Sequence, residues 1–202
     1  MRNLQNGWRR APLGKLVSIR AGGTPSKHRA DYWEGSVPWL TGKDLKSHYL
    51  QDSIEHLTEL GAQNGTKLLP TGTVVILVRG MMLLRTVPIG VTTRPMAINQ
   101  DIRGLLPGEN IESRFLAYAL ASQQSILASL VDVSGHGTGR LASDHLESLE
   151  IAYPSKEVQR RIGSVLDTWE RASVHVRDLL VAKRRLKRGL MQQLLTGKRR
   201  FT

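Results

Sequence analysis

The sequence predicts an α+β protein: a globular, mixed α/β domain over residues 1–154, followed by a long C-terminal coiled-coil helix over 155–202. Three observations carry that expectation. Apolar residues recur in steps of four and three through Val158, Ile162, Val165, Trp169, Ala172, Val176, Leu179, Lys183, Leu186 and Leu190. This is the a/d seam of a coiled coil with one polar interruption, at Lys183. Upstream, the pattern changes to short alternating or continuous apolar runs punctuated by Gly and Pro, the mark of strands joined by tight connections. The charge divides in the same place. Residues 155–202 hold 13 Lys and Arg against 4 Asp and Glu, so most of the formal charge of +12 falls on the helix.

In chain order, Trp8 to Leu16 reads as an opening strand and a short turn, and Val17-Ser-Ile-Arg alternates as a strand. Gly22-Gly-Thr-Pro-Ser is a loop freed by its glycines and stiffened by Pro25, and Lys27-His-Arg continues it as a basic segment. Tyr32, Trp33 and Trp39 form a local hydrophobic cluster in preference to a base-stacking surface, because duplex DNA exposes no base faces unless a base is flipped. Val37-Pro-Trp-Leu is a short strand, followed by the polar turn Thr41-Gly-Lys-Asp-Leu-Lys. Leu57 to Gln63 reads as a short helix ending near Gly65. Thr73-Val-Val-Ile-Leu-Val is β-branched and apolar, hence a central strand, and it runs into Arg79-Gly80.

Ile89-Gly-Val-Thr, Met96-Ala-Ile and Ile102-Arg-Gly-Leu-Leu are further strands, with Asn99-Gln-Asp at a corner between the last two. Glu112 to Leu130 reads as one helix with Phe115, Leu116, Ala119, Leu120, Leu127 and Leu130 on its apolar face. The glycine-rich Ser134-Gly-His-Gly-Thr-Gly-Arg can cradle phosphate through backbone N–H groups, yet it matches neither a P-loop nor a dinucleotide fingerprint. Ser143 to Glu150 is a short helix with Ser143 as N-cap, Ile151-Ala-Tyr a last strand, and Pro154 the close of the domain. Ser155 caps the long helix and Gly197 stops it. About 40 residues at 1.5 Å each make a rod of roughly 60 Å, and no other segment is long enough to cover its seam. The covering helix is therefore expected from another molecule.

Composition narrows the function. Zero cysteines exclude disulfides and thiolate chemistry and suit a reducing cytoplasm. The N-terminus has no signal-peptide pattern, and the most apolar run, Val74 to Leu84, is too short for a bilayer and contains Arg79. No membrane partner is expected. There is no Gly-x-Ser-x-Gly elbow, no metal-ligand spacing among the six histidines, no Glu-x-Lys nuclease pattern after Asp144 or Glu150, and no Asn-Pro-Pro-Tyr motif. The chain reads as a binder, and its charge favours a polyanion, nucleic acid first.

Several stretches then line up with a known family. They are Gly22-Gly-Thr-Pro-Ser, Tyr32-Trp33, Val37-Pro-Trp-Leu-Thr-Gly-Lys-Asp-Leu, Arg79-Gly80, Asn99-Gln-Asp-Ile-Arg-Gly and Leu186-Lys-Arg-Gly-Leu-Met-Gln-Gln-Leu-Leu-Thr-Gly-Lys-Arg-Arg-Phe. In that order they resemble a specificity (S) subunit of a type I restriction–modification system, in a half-length form with one target-recognition domain and one conserved helix. The family's Pro-Pro-x-x-Glu-Gln entrance to the helix appears as Pro154-Ser-Lys-Glu-Val-Gln, with Val158 between Glu157 and Gln159.

The resemblance implies a homodimer whose helices pack antiparallel and double-stranded DNA read as an interrupted palindrome. It also implies docking of modification (methyltransferase) subunits and restriction subunits. The chain itself would bind no cofactor. S-adenosylmethionine and ATP/Mg would act on partner subunits. A stand-alone dimeric regulator, and an adaptor or decoy that binds modification subunits without reading DNA, remain open.

Candidate DNA contacts are Lys43, Lys46, Arg79, Arg94, His136, Thr138 and Arg140, all at strand ends or in polar loops. Arg79 can pair with guanine or brace a turn, and Asn99-Gln-Asp reads better as a structural corner than as an adenine reader. The expected dimer interface is the seam: Val158, Ile162, Val165, Trp169, Ala172, Val176, Leu179, Leu186 and Leu190. Lys183-Arg-Arg-Leu-Lys-Arg beside it is open to phosphate, to modification subunits or simply to solvent.

Overall fold

A computed structural model describes residues 7–135 and 137–200. The chain divides into two compact units, Met1–Gly163 and Ser164–Thr202. The first unit opens with β1 (Arg9–Pro12), a single helical turn α1 (Leu13–Leu16) and β2 (Val17–Ala21). A 3-10 turn leads into β3 (Trp33–Leu40), followed by the short strands β4 (Tyr49–Leu50) and β5 (Glu55–Leu57). Next come α2 (Glu59–Gly65), β6 (Leu68–Leu69), β7 (Val74–Leu77) and β8 (Arg79–Gly80). After a 3-10 turn at Met81–Leu84 run β9 (Ile89–Thr92), β10 (Met96–Ile98) and β11 (Ile102–Pro107). Two helices, α3 (Ser113–Ala121) and α4 (Gln124–Ser129), precede β12 (Val131–Val133) and β13 (Gly139–Leu141). The chain finishes with α5 (Ser143–Glu147), β14 (Glu150–Tyr153) and α6 (Lys156–Leu195).

The expected central strand is central. β7 lies in the middle of a five-stranded sheet ordered β2-β11-β7-β9-β4, and all four of its residues are buried. Burial on both faces explains why it reads as a continuous β-branched run and not as an alternation. A four-stranded sheet, β5-β3-β10-β6, stands beside it, and β3 pairs with β10 in parallel. Smaller sheets join β12-β13-β8 and β1-β14. One continuous core runs from Val74, Ile76, Ile98 and Leu105 on the strands to Phe115, Leu116, Leu120 and Leu127 on the helices. Each such side chain contributes on the order of 1.5–3 kcal/mol by leaving water.

Three local expectations are corrected. The helix expected over 112–130 is broken in two at Ser122–Gln123. Gln124 Oε1 accepts from Val87 N at 3.0 Å and its Nε2 donates to Val87 O at 2.8 Å, so a tertiary clamp fixes the chain where a straight helix would continue. Leu57 belongs to β5 and not to the next helix, which begins after Thr58, whose hydroxyl accepts from Gly61 N at 3.1 Å. Ser143 is the first residue of α5 and not its cap, because Ala142 occupies the cap position.

Gln159 ties the start of α6 to the globular unit. It is fully buried; Oε1 accepts from Glu112 N at 2.8 Å, while Nε2 donates to Asn110 O and Pro154 O, both at 2.9 Å. One amide thus satisfies three backbone groups, of which Pro154 O is buried and the other two partly so. Ser155 Oγ, the expected cap, accepts from Val158 N only at 3.5 Å.

The second unit carries the rest of α6, which runs to Leu195 and is stopped, as expected, by Gly197. The glycine adopts φ +71°, and its N–H donates to Leu194 O at 3.2 Å.

Candidate nucleic-acid interface

Three pieces of the first unit meet at the C-terminal end of β7. Val78 N donates to Asp101 O at 2.8 Å, and Leu141 N donates to Val78 O at 2.9 Å. These bonds stitch the Asn99–Asp101 corner and β13 to the end of the central strand. The corner is itself structural, as expected: Asp101 N donates to Asn99 Oδ1 at 3.1 Å and Asn99 Nδ2 to Asp101 Oδ2 at 3.2 Å. Asn99 N donates to Leu40 O at 2.9 Å, which brings the turn after β3 to the same edge. That turn is held by Asp44, whose carboxylate accepts from Thr41 N and Thr41 Oγ, both at 2.8 Å. Thr41 is thereby occupied, whereas Lys43 and Lys46 are exposed.

Arginines converge on this edge. β13 and β8 pair antiparallel with Arg140 directly opposite Arg79. Like charges so placed repel, and the arrangement favours an anion between or above them. Gly80, at φ +142°, takes a backbone conformation closed to other residues and turns the chain away immediately after Arg79. On its other side, Arg140 faces Asp132 across the hairpin.

Arg103 enters from β11. It is half-buried, and its Nη1 donates to Gln100 O at 2.9 Å and Ile102 O at 3.1 Å. Burial, and then the charge of Arg79, hold its pKa below the usual arginine value, with Asp101 opposing them. It remains protonated at neutral pH. Arg79, Arg103 and Arg140 line one pocket of about 230 Å³ together with Val78, Gln100, Leu141 and Ser143. The pocket offers clustered positive charge and a fan of N–H donors.

The expected contacts do not all gather there. Arg79 and Arg140 meet in the pocket, and the turn bearing Lys43 and Lys46 lies along the same edge. Thr138 closes the β12–β13 hairpin, with its carbonyl accepting from Ser134 N at 3.0 Å. Arg94 precedes β10, at the opposite end of that strand from Asn99, and reaches Ser36 O at 3.4 Å. His136 lies outside the described residues. Arg103 was missed. Two sequence signals were there: it lies in the family-like stretch Asn99-Gln-Asp-Ile-Arg-Gly, and it is an arginine within the apolar run Ile102–Leu106, a charge that burial alone would not choose.

Of the expected aromatic cluster, Trp33 and Trp39 come together, whereas Tyr32 carries Arg29 over its ring at 4.7 Å. Trp33 and Trp39 meet edge to face at 5.2 Å, and their ring nitrogens donate to Ser26 O and Gly23 O at 3.1 and 3.0 Å. Gly22 sits so close to β10 that a Cβ would come within 2.1 Å of Ile98 O, and a Cβ on Gly23 would come within 2.3 Å of Gly65 O, which accounts for the glycine pair in that loop.

On the long helix, Val165, Trp169, Val176, Leu179 and Leu186 are exposed; Trp169 is 70% exposed. Val158 and Ala172 are also exposed, and Leu190 is half-buried. Ile162, within the first unit, packs against its own globular core. Among the described residues no group of His, Asp and Glu could hold a metal ion. No described helix is long and apolar enough to cross a membrane.

Comparison with known proteins gives a consistent result. A family model described as the type I restriction modification DNA specificity domain matches residues 5–177. The chain is 31% identical over 160 residues to the type I restriction enzyme EcoR124I/EcoR124II specificity subunit of Escherichia coli, covering 78% of this chain and 40% of that protein. It is 29% identical over 171 residues to the type I restriction enzyme MjaIX specificity subunit of Methanocaldococcus jannaschii, covering 81% and 38%. It therefore spans about two-fifths of the length of these relatives. The fold matches a chain of a solved type I R-M system at TM-score 0.71 and 21% identity, covering 95% of this chain and 46% of that one. It also matches the HsdS subunit from Thermoanaerobacter tengcongensis at TM-score 0.64 and 20% identity, covering 95% and 45%.

Proposed function

Because this chain belongs to the type I restriction modification DNA specificity domain family, we propose that its globular domain reads a short half-site in duplex DNA. The observation that carries this reading is the meeting of Arg79, Arg103 and Arg140 in one pocket at the end of the central sheet. A sheet scaffold holds them rigidly, and clustered guanidiniums suit phosphate oxygens and base edges alike. Lys43 and Lys46 extend the same edge, whereas Arg94 contributes outside this footprint.

The long helix pairs, antiparallel, with the same helix of a second copy. The exposed seam from Val165 to Leu186 supports that pairing, since so many large apolar side chains at heptad spacing need a cover. The pair sets the distance between two half-sites and docks modification subunits, with restriction subunits beyond them. Identical domains related by a two-fold axis read inverted repeats, so the target is an interrupted palindrome. S-adenosylmethionine and ATP/Mg act on those partner subunits, in the cytoplasm, and this chain supplies recognition without catalysis.

Selection from a random duplex pool, by this chain together with a modification subunit at a stated salt concentration, tests the reading. An enriched interrupted palindrome is expected. An asymmetric bipartite site means that a different specificity domain is the partner. No enrichment by an intact complex overturns DNA reading and favours the adaptor.

A further inference from the structure

We propose that Arg103 is a specificity-determining residue that reads a guanine in the major groove, while Arg79 and Arg140 hold the adjoining phosphates. The inference rests on the reading of the globular domain as a DNA reader and assigns the roles within its pocket. Guanine O6 and N7 and the phosphate oxygens share one chemistry, since both are acceptors that a guanidinium fork can grip in pairs. What separates the three arginines is their setting. Arg79 and Arg140 are exposed, opposite each other on short strands. Arg103 is half-buried, and one of its terminal nitrogens is spent on two backbone carbonyls, Gln100 O and Ile102 O. That tether fixes the plane of the guanidinium before any ligand arrives. A base reader needs such fixed geometry, because discrimination depends on direction, whereas a phosphate contact tolerates a mobile, solvated side chain.

The rest of the pocket agrees. Gln100 lines it, and the Thr24 hydroxyl donates to its Oε1, which orients the amide and adds its N–H donors to the pocket's inventory. With the arginines this makes an array dominated by donors. Such an array matches the acceptor pair of guanine and rejects the amino group that cytosine or adenine presents in the major groove.

The test compares the unaltered chain with Arg103→Ala and Arg103→Lys, each in complex with a modification subunit. The selected duplex and copies of it with each guanine in turn replaced by its 7-deaza analogue are the probes. The unaltered complex should lose roughly ten- to hundred-fold in affinity at one guanine per half-site when N7 is removed. Arg103→Ala should be indifferent to that replacement and Arg103→Lys should respond more weakly than the parent, and both should relax the selected sequence at that position. Arg103→Lys keeps the charge and replaces the fork, so its loss of discrimination with a retained salt slope is the expected signature. If the variants select the unchanged sequence with uniformly weaker binding and a shallower salt slope, Arg103 is a phosphate contact and the inference falls while the recognition reading stands. If the unaltered complex selects no sequence at all, the recognition reading fails first.

Discussion

Gln159 shows how much one side chain can carry. Replacing it with Leu would keep its bulk and strand Pro154 O in a buried setting and Glu112 N and Asn110 O in a partly buried one. An orphaned buried group costs about 1–3 kcal/mol and water can reach the other two, so Gln159→Leu is expected to lose about 1–3 kcal/mol in urea unfolding of the full chain. A variant as stable as the parent would show that water replaces the amide. Gly22→Ala should also destabilise, because the added Cβ would lie 2.1 Å from Ile98 O and neither backbone can yield cheaply; a lowered melting temperature is the check. The same scale explains what could be read from sequence. Arg79 stands out as a charge at a strand end, and Arg140 as the charge that closes a glycine-rich loop. Their pairing across β8 and β13 is set by register between distant segments, which no local pattern encodes. Arg103 sits inside a strand pattern and is visible as a site residue only once Gln100 and Arg79 are beside it.

Among the elements, period was the reliable guide. β7 and α6 were legible because their patterns are clear: a continuous buried β-branched run and a long heptad seam interrupted only at Lys183. The break between α3 and α4 was not, since it comes from Gln124 binding Val87, a contact between segments far apart in sequence. The register shift in β3 between Trp33 and Val37 was hidden likewise, for it depends on the partner strand β5. The seam makes its own prediction. Val176→Asp combined with Leu179→Asp places two charges at the centre of the exposed stripe. The double variant should shift the molar mass in solution from dimer to monomer at micromolar concentration. Backbone amide NMR signals of the globular unit's strands should keep their positions, because both substitutions lie outside it. A dimer that survives them would place the interface elsewhere.

For the whole molecule, the uneven charge bears on which parts meet the polyanion. The formal charge is +12, and the run Lys183-Arg-Arg-Leu-Lys-Arg concentrates it on the helix, far in sequence from the arginine pocket. If both regions meet phosphate, affinity for the selected duplex should fall steeply with salt, by at least about a thousandfold between 50 and 200 mM for six or more phosphate contacts. Neutralising Arg184, Arg185, Lys187 and Arg188 to Gln should then flatten the slope of log K against log salt by up to about 0.9 per lost contact. The selected sequence should not change, because phosphate contacts carry no base information. Titrating the complex at several salt concentrations, with the parent and the quadruple variant side by side, separates the roles. A slope equal to the parent's, together with loss of the modification subunit from the complex, would assign the run to protein docking. An unchanged slope with the complex intact would leave it as a solvated face, and the DNA footprint would then end at the globular domain.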